Sequence, residues 1–135
     1  KIDLTERFPD GTITVTDFKT GSSKTTGVIE KLDDENRLSG MMRQLAMYSY
    51  LIHGSEGNDV TESRLLFLEE DVKNKNALYR THVTGEHIEL LIRDIADYQN
   101  VLASGEWTVR PCYAKPFGKS TECEYCARIG KILMK

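Results

Sequence analysis

A tight hairpin at the start of the chain constrains the fold more than any other feature. Residues 1–8 and 12–19 both predict strands, and the second is rich in Thr, Ile and Val. Between them lies Pro9-Asp10-Gly11, where proline presets a type I turn and glycine takes the left-handed position that closes a three-residue loop. The segment is therefore predicted to be an antiparallel hairpin of defined register.

That register brings two acidic side chains together. If the loop has three residues, Phe8 pairs with Thr12, paired residue numbers add up to 20, and Asp3 lies opposite Asp17. The Cβ atoms of opposed residues are roughly 5 Å apart, and like charges at that distance destabilise a sheet. A divalent cation such as Mg²⁺ would neutralise them, because it prefers carboxylate oxygens. A register shifted by one residue would instead put Asp3 on the other face.

Lys19 lies on the same face of the second strand as Asp17, about 7 Å further along, because strand side chains alternate. Two carboxylates, a cation and an amine suit the hydrolysis of phosphodiesters. The cation polarises the phosphoryl group and lowers the pKa of water, and Lys19 orients the nucleophile or offsets charge in the transition state. An acid-x-Lys triplet also commonly marks two solvated side chains at a strand end, and it is the opposed Asp3 that favours a site.

The rest of the chain predicts helices alternating with strands. A polar connection over 21–36 precedes a helix over 38–53, and strands are predicted over 64–68 and 77–83, around a polar turn at 73–76. A last helix is predicted from a cap at Thr84 to about Ala103, with Gly105 as its stop. The order β-β-α-β-β-α predicts an α/β (α+β) fold in which helices flank a mixed sheet.

The helical periodicity also predicts which side chains face inward. For the first helix these are Leu38, Met41, Met42, Leu45, Ser49 and Ile52. For the last helix they are Ile88, Leu91, Ile92, Ile95 and Leu102.

Composition bounds the class of protein. The chain has 135 residues, 39% of them hydrophobic, which is enough for a single globular domain over 1–135 with an irregular tail over 106–135. No apolar run approaches the ~20 residues that a membrane helix needs.

The net charge of the chain is −3, whereas a dedicated nucleic-acid-binding domain is usually basic. An acidic metal site can nevertheless act on a nucleic-acid strand that other domains deliver. The start at Lys1, without a signal peptide, suggests part of a longer polypeptide.

Three motifs, taken together, resemble the nuclease domain of RecB-type exonucleases in the PD-(D/E)xK superfamily. They are K-I-D at residues 1–3, D-F-K-T-G at 17–21 and Q-L-A-M-Y at 44–48. The family pattern is an Asp ending a G-x-I-D strand, then D-x-K-T-G, then Q-x-x-x-Y on the following helix. The resemblance spans about residues 1 to 130, and it implies a restriction-endonuclease-like fold whose first helix is missing from this chain.

The resemblance also implies roles for individual residues. Asp3 and Asp17 would be metal ligands, with the backbone carbonyl of Phe18 as a possible third, and Lys19 would be the catalytic lysine. The side chains of Asp3, Asp17 and Lys19 would then be catalytic, with Mg²⁺ or Mn²⁺ as the cofactor.

Gln44 and Tyr48 are assigned by the same resemblance to contacts with the DNA backbone. Residues spaced by four share one face of a helix, and this face lies beside the predicted apolar stripe, not on it. A core aromatic residue is the alternative interpretation of Tyr48.

The implied function is a DNA exonuclease domain of a bacterial helicase–nuclease in DNA repair or recombination, as in UvrD-, AddAB- and RecBCD-like proteins. The partners would be DNA ends and a helicase motor, in the same polypeptide or in a partner subunit, which supplies most of the grip on phosphate. The alternative is a non-catalytic nuclease fold that guides DNA or contacts the motor. The family's first helix carries a His or an acid, and no histidine here is placed to replace it, so the isolated chain is expected to be a weak nuclease.

The cysteines are too few for a disulfide scaffold, which favours a reduced, cytoplasmic protein. Many relatives hold a [4Fe–4S] cluster with a C-x-x-C pair, a further Cys downstream and one upstream. Here Cys123 and Cys126 match the pair, but Ile132 stands where the next ligand would be, so an iron–sulfur cluster is not expected. A CRISPR-associated relative would need that cluster. A zinc site with Cys112 lacks an obvious fourth ligand, which leaves free thiols as the favoured state.

The purified protein is expected to be colourless, because Ile132 cannot bind iron. An absorption spectrum should lack the broad band at about 400 nm that a [4Fe–4S] cluster gives. A brown preparation with stoichiometric iron would contradict the prediction and show that another residue supplies the ligand.

Overall fold

The computed structural model describes residues 2–69 and 77–105. The chain divides into two compact units, residues 1–94 and 95–135, and of the second the structure describes 95–105. The elements are β1 (Leu4–Arg7), β2 (Ile13–Ser22), α1 (Thr26–Ile29), α2 (Gly40–Glu56), β3 (Glu62–Glu69), β4 (Leu78–Thr81) and α3 (Gly85–Ser104). The predicted turn at 73–76, the tail over 106–135 and the three cysteines lie outside the described residues.

The four strands form one mixed sheet in the order β1-β2-β3-β4. The β1–β2 and β3–β4 pairs are antiparallel, whereas β2 and β3 run parallel. The predicted fold class, an α/β fold with a mixed sheet, is therefore confirmed. β2 lies inside the sheet and is buried on both faces, through Ile13 and Val15 on one side and Thr14 and Thr16 on the other.

The hairpin between β1 and β2 has the predicted loop and register. The Phe8 N–H donates to the Thr12 carbonyl at 2.9 Å, and the Gly11 N–H donates to the Phe8 carbonyl at 3.0 Å. Gly11 has a φ of 86°, the left-handed conformation that the loop requires. Every pair of the ladder, from Leu4 with Thr16 onward, adds up to 20.

One face of the sheet carries a row of ion pairs. The Arg64 guanidinium on β3 pairs with Glu6 of β1 at 3.2 Å and with Glu62 at 2.9 Å. In the ladder Thr14 lies between Glu6 and Glu62, so this ionic row spans three strands at the level of Thr14. The opposite face, with Ile13, Val15 and Asp17, is therefore the one available to the core helices.

α1 corrects the predicted polar connection over 21–36. The Thr25 carbonyl accepts from the N–H groups of Val28 and Ile29, and the Ile29 side chain is fully buried. A helix of four residues is too short to show a periodicity in the sequence, so its formation depends on the burial of Ile29. β2 is also longer than predicted, reaching Ser22 through an irregularity in its pairing with β3 that follows Lys19.

α2 begins and ends on recognisable caps. The Ser39 hydroxyl accepts from the Met42 N–H at 3.1 Å, and Gly57, with a φ of 69°, closes the helix through a bond from its N–H to the His53 carbonyl.

The buried face of α2 is broader than the predicted stripe. The helix packs on β2 and β3 with Met42, Leu45, Ala46, Tyr48 and Ile52 buried, while Met41 and Ser49 are half-buried. The prediction that Tyr48 lies beside the apolar face, and not on it, is wrong. Because the helix lies on a sheet, a wider arc of its surface is covered than a narrow stripe predicts.

α3 follows its predicted span and ends before Gly105, whose φ is 71°. Its predicted inward face is partly wrong, because Leu91 is buried at 1% exposure whereas Ile92 and Leu102 are each 46% exposed. Adjacent residues of a helix point about 100° apart, so Leu91 and Ile92 cannot both face inward when the buried face of the helix is narrow. None of the helices in the described ranges is long and apolar enough to cross a membrane.

The neighbours Leu91 and Ile92 provide a matched test of this packing. Leu91→Ala should lower the free energy of unfolding by about 2–5 kcal/mol, because it leaves a cavity in the core. Ile92→Ala should cost less than about 1 kcal/mol, since much of the side chain stays in water. Urea denaturation of both variants measures the difference, and equal losses would contradict the orientation of α3.

Candidate active site

Asp17 is a carboxylate inside the sheet. It lies on the inner strand β2, opposite Leu65 of β3, and it is 2% exposed. A buried carboxylate is costly unless it is paired and hydrogen-bonded, so its neighbours decide whether the strand can carry it.

Both oxygens of Asp17 have partners. Oδ1 accepts from the Gln44 amide at 2.6 Å and from the Tyr48 hydroxyl at 2.9 Å. Oδ2 lies 2.7 Å from the Lys19 ammonium. That contact is close but not aligned as a regular hydrogen bond, and in the described part of the chain Oδ2 has no other partner. The charge of Asp17 is therefore balanced by a lysine from its own strand.

Gln44 joins the members of this cluster. Its Oε1 accepts from the Lys19 ammonium at 2.5 Å, and its Nε2 donates to Asp17 and to the Tyr48 hydroxyl. The hydroxyl in turn donates to Asp17, so each donor meets an acceptor and the amide is held in one orientation. Gln44 and Tyr48 lie one turn apart on α2, which is why one helix brings both to the same carboxylate.

Tyr48 stays a neutral donor at physiological pH. Burial raises the pKa of Tyr48 above its ordinary value of 10.0, and the hydrogen bond to Asp17 and the charges of Asp17 and Asp3 raise it further. The hydrogen bond from Gln44 acts in the opposite direction.

Asp3 directly precedes Leu4, the first residue of β1. Its Oδ2 accepts from the Phe18 N–H at 3.0 Å, a group that a longer β1 would have paired through its backbone. Because hydrogen-bonded pairs alternate along an antiparallel ladder, both the N–H and the carbonyl of Phe18 face β1. The ladder begins at the pair of Leu4 with Thr16, so the predicted strand over residues 1–8 is shorter in the structure and Asp3 lies just outside the ladder. Asp3 is therefore held at the edge of the cluster, on the backbone of Phe18, the residue that follows Asp17.

The donors at this edge fit a hard divalent cation. They are two carboxylates and a backbone carbonyl, the oxygen ligands that Mg²⁺ accepts together with water. Asp17 Oδ2, buried and without a regular hydrogen bond, is the atom with coordination capacity to spare. Across residues 2–69 and 77–105, no group of three or more His, Cys, Asp or Glu side chains is placed so that it could hold a metal ion.

The roles assigned from the sequence therefore have a common location. Asp17, Lys19, Gln44 and Tyr48 contact one another in one cluster, and Asp3 accepts a hydrogen bond from the backbone next to Asp17. Their roles as metal ligands, as catalytic lysine and as contacts with the DNA backbone stay predictions. The structure adds that Gln44 and Tyr48 bind Asp17, a contact that the sequence analysis did not predict.

The family of the chain can now be stated from comparison with known proteins. The model of the PD-(D/E)XK nuclease superfamily matches residues 1–129. The chain belongs to this superfamily. Neither the curated proteins nor the solved structures gave a match. Members of the PD-(D/E)XK superfamily are generally metal-dependent nucleases, and the (D/E)-x-K of the name occurs in this chain as Asp17-Phe18-Lys19.

Sequence analysis of this PD-(D/E)XK chain missed the contact between Lys19 and Asp17. It placed Lys19 toward a substrate anion or a water molecule, because side chains two residues apart on a strand begin about 7 Å apart. The four-carbon stem of lysine is long enough to bend back over that distance. A buried acid two residues before a lysine was the signal that could have indicated an internal ion pair.

The hydroxyl of Tyr48 is expected to stabilise the protein through Asp17. Tyr48→Phe should lower the free energy of unfolding by about 1–3 kcal/mol, because a buried carboxylate oxygen loses one of its two donors. Tyr50→Phe is the matched control, since Tyr50 is 42% exposed and its change should cost less than about 0.5 kcal/mol. Urea denaturation measures both, and equal effects would contradict the role of the hydroxyl.

Proposed function

We propose that this chain is a deoxyribonuclease domain that hydrolyses DNA phosphodiesters with Mg²⁺ or Mn²⁺. Asp3, Asp17 and the Phe18 carbonyl would hold the cation. The observation that carries the proposal is the buried Asp17 with Lys19 against it and Asp3 at the open edge, in a chain of the PD-(D/E)XK superfamily. When bound, the cation would polarise the phosphoryl group and lower the pKa of water.

The side chains of the cluster have separate roles in the proposed reaction. The Lys19 side chain is partly accessible, at 24% exposure, whereas the Asp17 side chain is buried. Lys19 can therefore meet a phosphate oxygen and stabilise the negative charge that develops there in the transition state. Gln44 accepts from the ammonium and Tyr48 donates to the carboxylate, so each of the two reactive groups has a partner on α2.

The acidic net charge supports a function inside a larger assembly. A charge of −3 gives little long-range attraction to DNA, whose non-specific binding depends on neutralised phosphates. We therefore propose a RecB-type domain of a bacterial helicase–nuclease in DNA repair or recombination, in the cytoplasm. A helicase motor, in the same polypeptide or in a partner subunit, would deliver DNA ends. The D-F-K-T-G and Q-L-A-M-Y motifs support this assignment because their functional side chains contact one another.

Asp17→Asn tests the nuclease activity. It removes the charge of the buried ligand, so the Mn²⁺-dependent cleavage of single-stranded DNA, expected to be weak in the isolated chain, should fall by a factor of about 100 or more. The control is Asp59→Asn, a carboxylate whose side chain is 88% exposed, which should cleave at the original rate. Product formation from an end-labelled oligonucleotide measures both variants.

The same substitution tests the proposed setting. In the complete polypeptide, Asp17→Asn should stop DNA degradation while ATP hydrolysis and unwinding continue. Undiminished degradation would contradict the catalytic assignment and favour a non-catalytic nuclease fold that guides DNA. A polypeptide without ATPase activity would contradict the helicase setting and leave the nuclease assignment intact.

A further inference from the structure

The oxygen that Asp17 would offer to a cation already has a positive partner. Oδ1 is occupied by two donors, Gln44 and Tyr48. Oδ2 is free of hydrogen bonds but lies 2.7 Å from the Lys19 ammonium. Any cation that uses Oδ2 must therefore enter a position next to an existing positive charge.

We propose that Lys19 is the internal counter-ion of Asp17, and that Lys19 leaves Asp17 Oδ2 whenever a divalent cation binds there. The inference rests on the proposed function, because it concerns the cation of that same site. Two positive charges within contact distance of one buried oxygen repel each other strongly, because the repulsion is poorly screened where water is excluded. Burial keeps Asp17 in place, whereas Lys19 is flexible and partly exposed, so Lys19 is the group that moves.

Gln44 allows this movement without releasing the lysine. Its Oε1 already accepts from the ammonium at 2.5 Å, and it is a neutral acceptor that does not need Asp17 to be present. Lys19 can give up the carboxylate and keep the amide, which leaves the ammonium beside the site. Lys19 thus satisfies Asp17 in the absence of a cation and becomes available to a phosphate in its presence.

The proposal makes the affinity for a cation depend on Lys19 in a defined direction. If the two compete, Lys19→Met should bind Mn²⁺ about tenfold more tightly or better, a change of about 1.4 kcal/mol. The Mn²⁺-induced increase in melting temperature should also be larger in Lys19→Met than in the original chain, because the uncharged variant leaves Asp17 without a counter-charge until the cation binds. Titration calorimetry and thermal denaturation of the 135-residue chain measure the two effects.

Two control variants separate competition from a general effect of charge. Lys24→Met removes the same charge from an exposed position five residues further on, and its affinity for Mn²⁺ should change less than about twofold. Lys19→Arg keeps the positive charge at the site, and it should bind Mn²⁺ no more tightly than the original chain. Equal gains in Lys19→Met and Lys24→Met would overturn the proposal.

The original chain provides a readout that does not depend on a variant. In a lysine-selective ¹H–¹⁵N spectrum, the Lys19 ammonium resonance should shift when Mg²⁺ is added, while that of Lys24 should not. Mg²⁺ or Mn²⁺ binding without a shift at Lys19, or without tighter binding by Lys19→Met, would overturn the inference and leave the proposed function standing. If the original chain binds neither cation, both the inference and the proposed function are wrong.

Discussion

The negative charge of Asp17, placed in the middle of an inner strand, is the constraint on which the arrangement of this protein depends. An ion in that position costs several kcal/mol unless charges and donors surround it. Lys19 supplies the charge, and Gln44 and Tyr48 supply the donors. The same contacts therefore form the site and stabilise the sheet around the buried charge. Both depend on α2, because the helix that covers the core also carries the hydrogen-bond donors.

The placement of α2 is set by ordinary packing. Met42 and Leu45 are buried against the sheet, and Ser39 fixes where the helix starts. Tyr48 lies on the buried face of the helix and the half-buried Gln44 lies at the margin of that face, so both reach Asp17. A substitution that shifts the helix along the sheet would separate the amide from the carboxylate even if every residue of the site were retained, so core residues act here as positioning residues.

The parts of this structure that follow local rules could be predicted from the sequence. The hairpin register follows from one proline, one glycine and a fixed loop length, and the fold class follows from the order of periodic segments. α1 could not be predicted, because a four-residue helix depends on the burial of Ile29 by distant residues. The inward face of α3 and the contact of Lys19 with Asp17 were also missed. The inward face of α3 depends on how much of the helix its neighbours cover, and the Lys19 contact depends on how its own side chain bends. Periodicity encodes neither.

The loop at Pro9-Asp10-Gly11 has a consequence far from its own position. It is exposed and lies at the opposite end of the hairpin from Asp3. Its odd number of residues nevertheless sets the phase of the ladder, and the phase decides whether Asp3 reaches the Phe18 N–H beside Asp17. Insertion of one residue at this surface loop would shift the register of β1 against β2 by one residue. Every side chain of the site would be kept, while the hydrogen bond that holds Asp3 beside Asp17 would be lost.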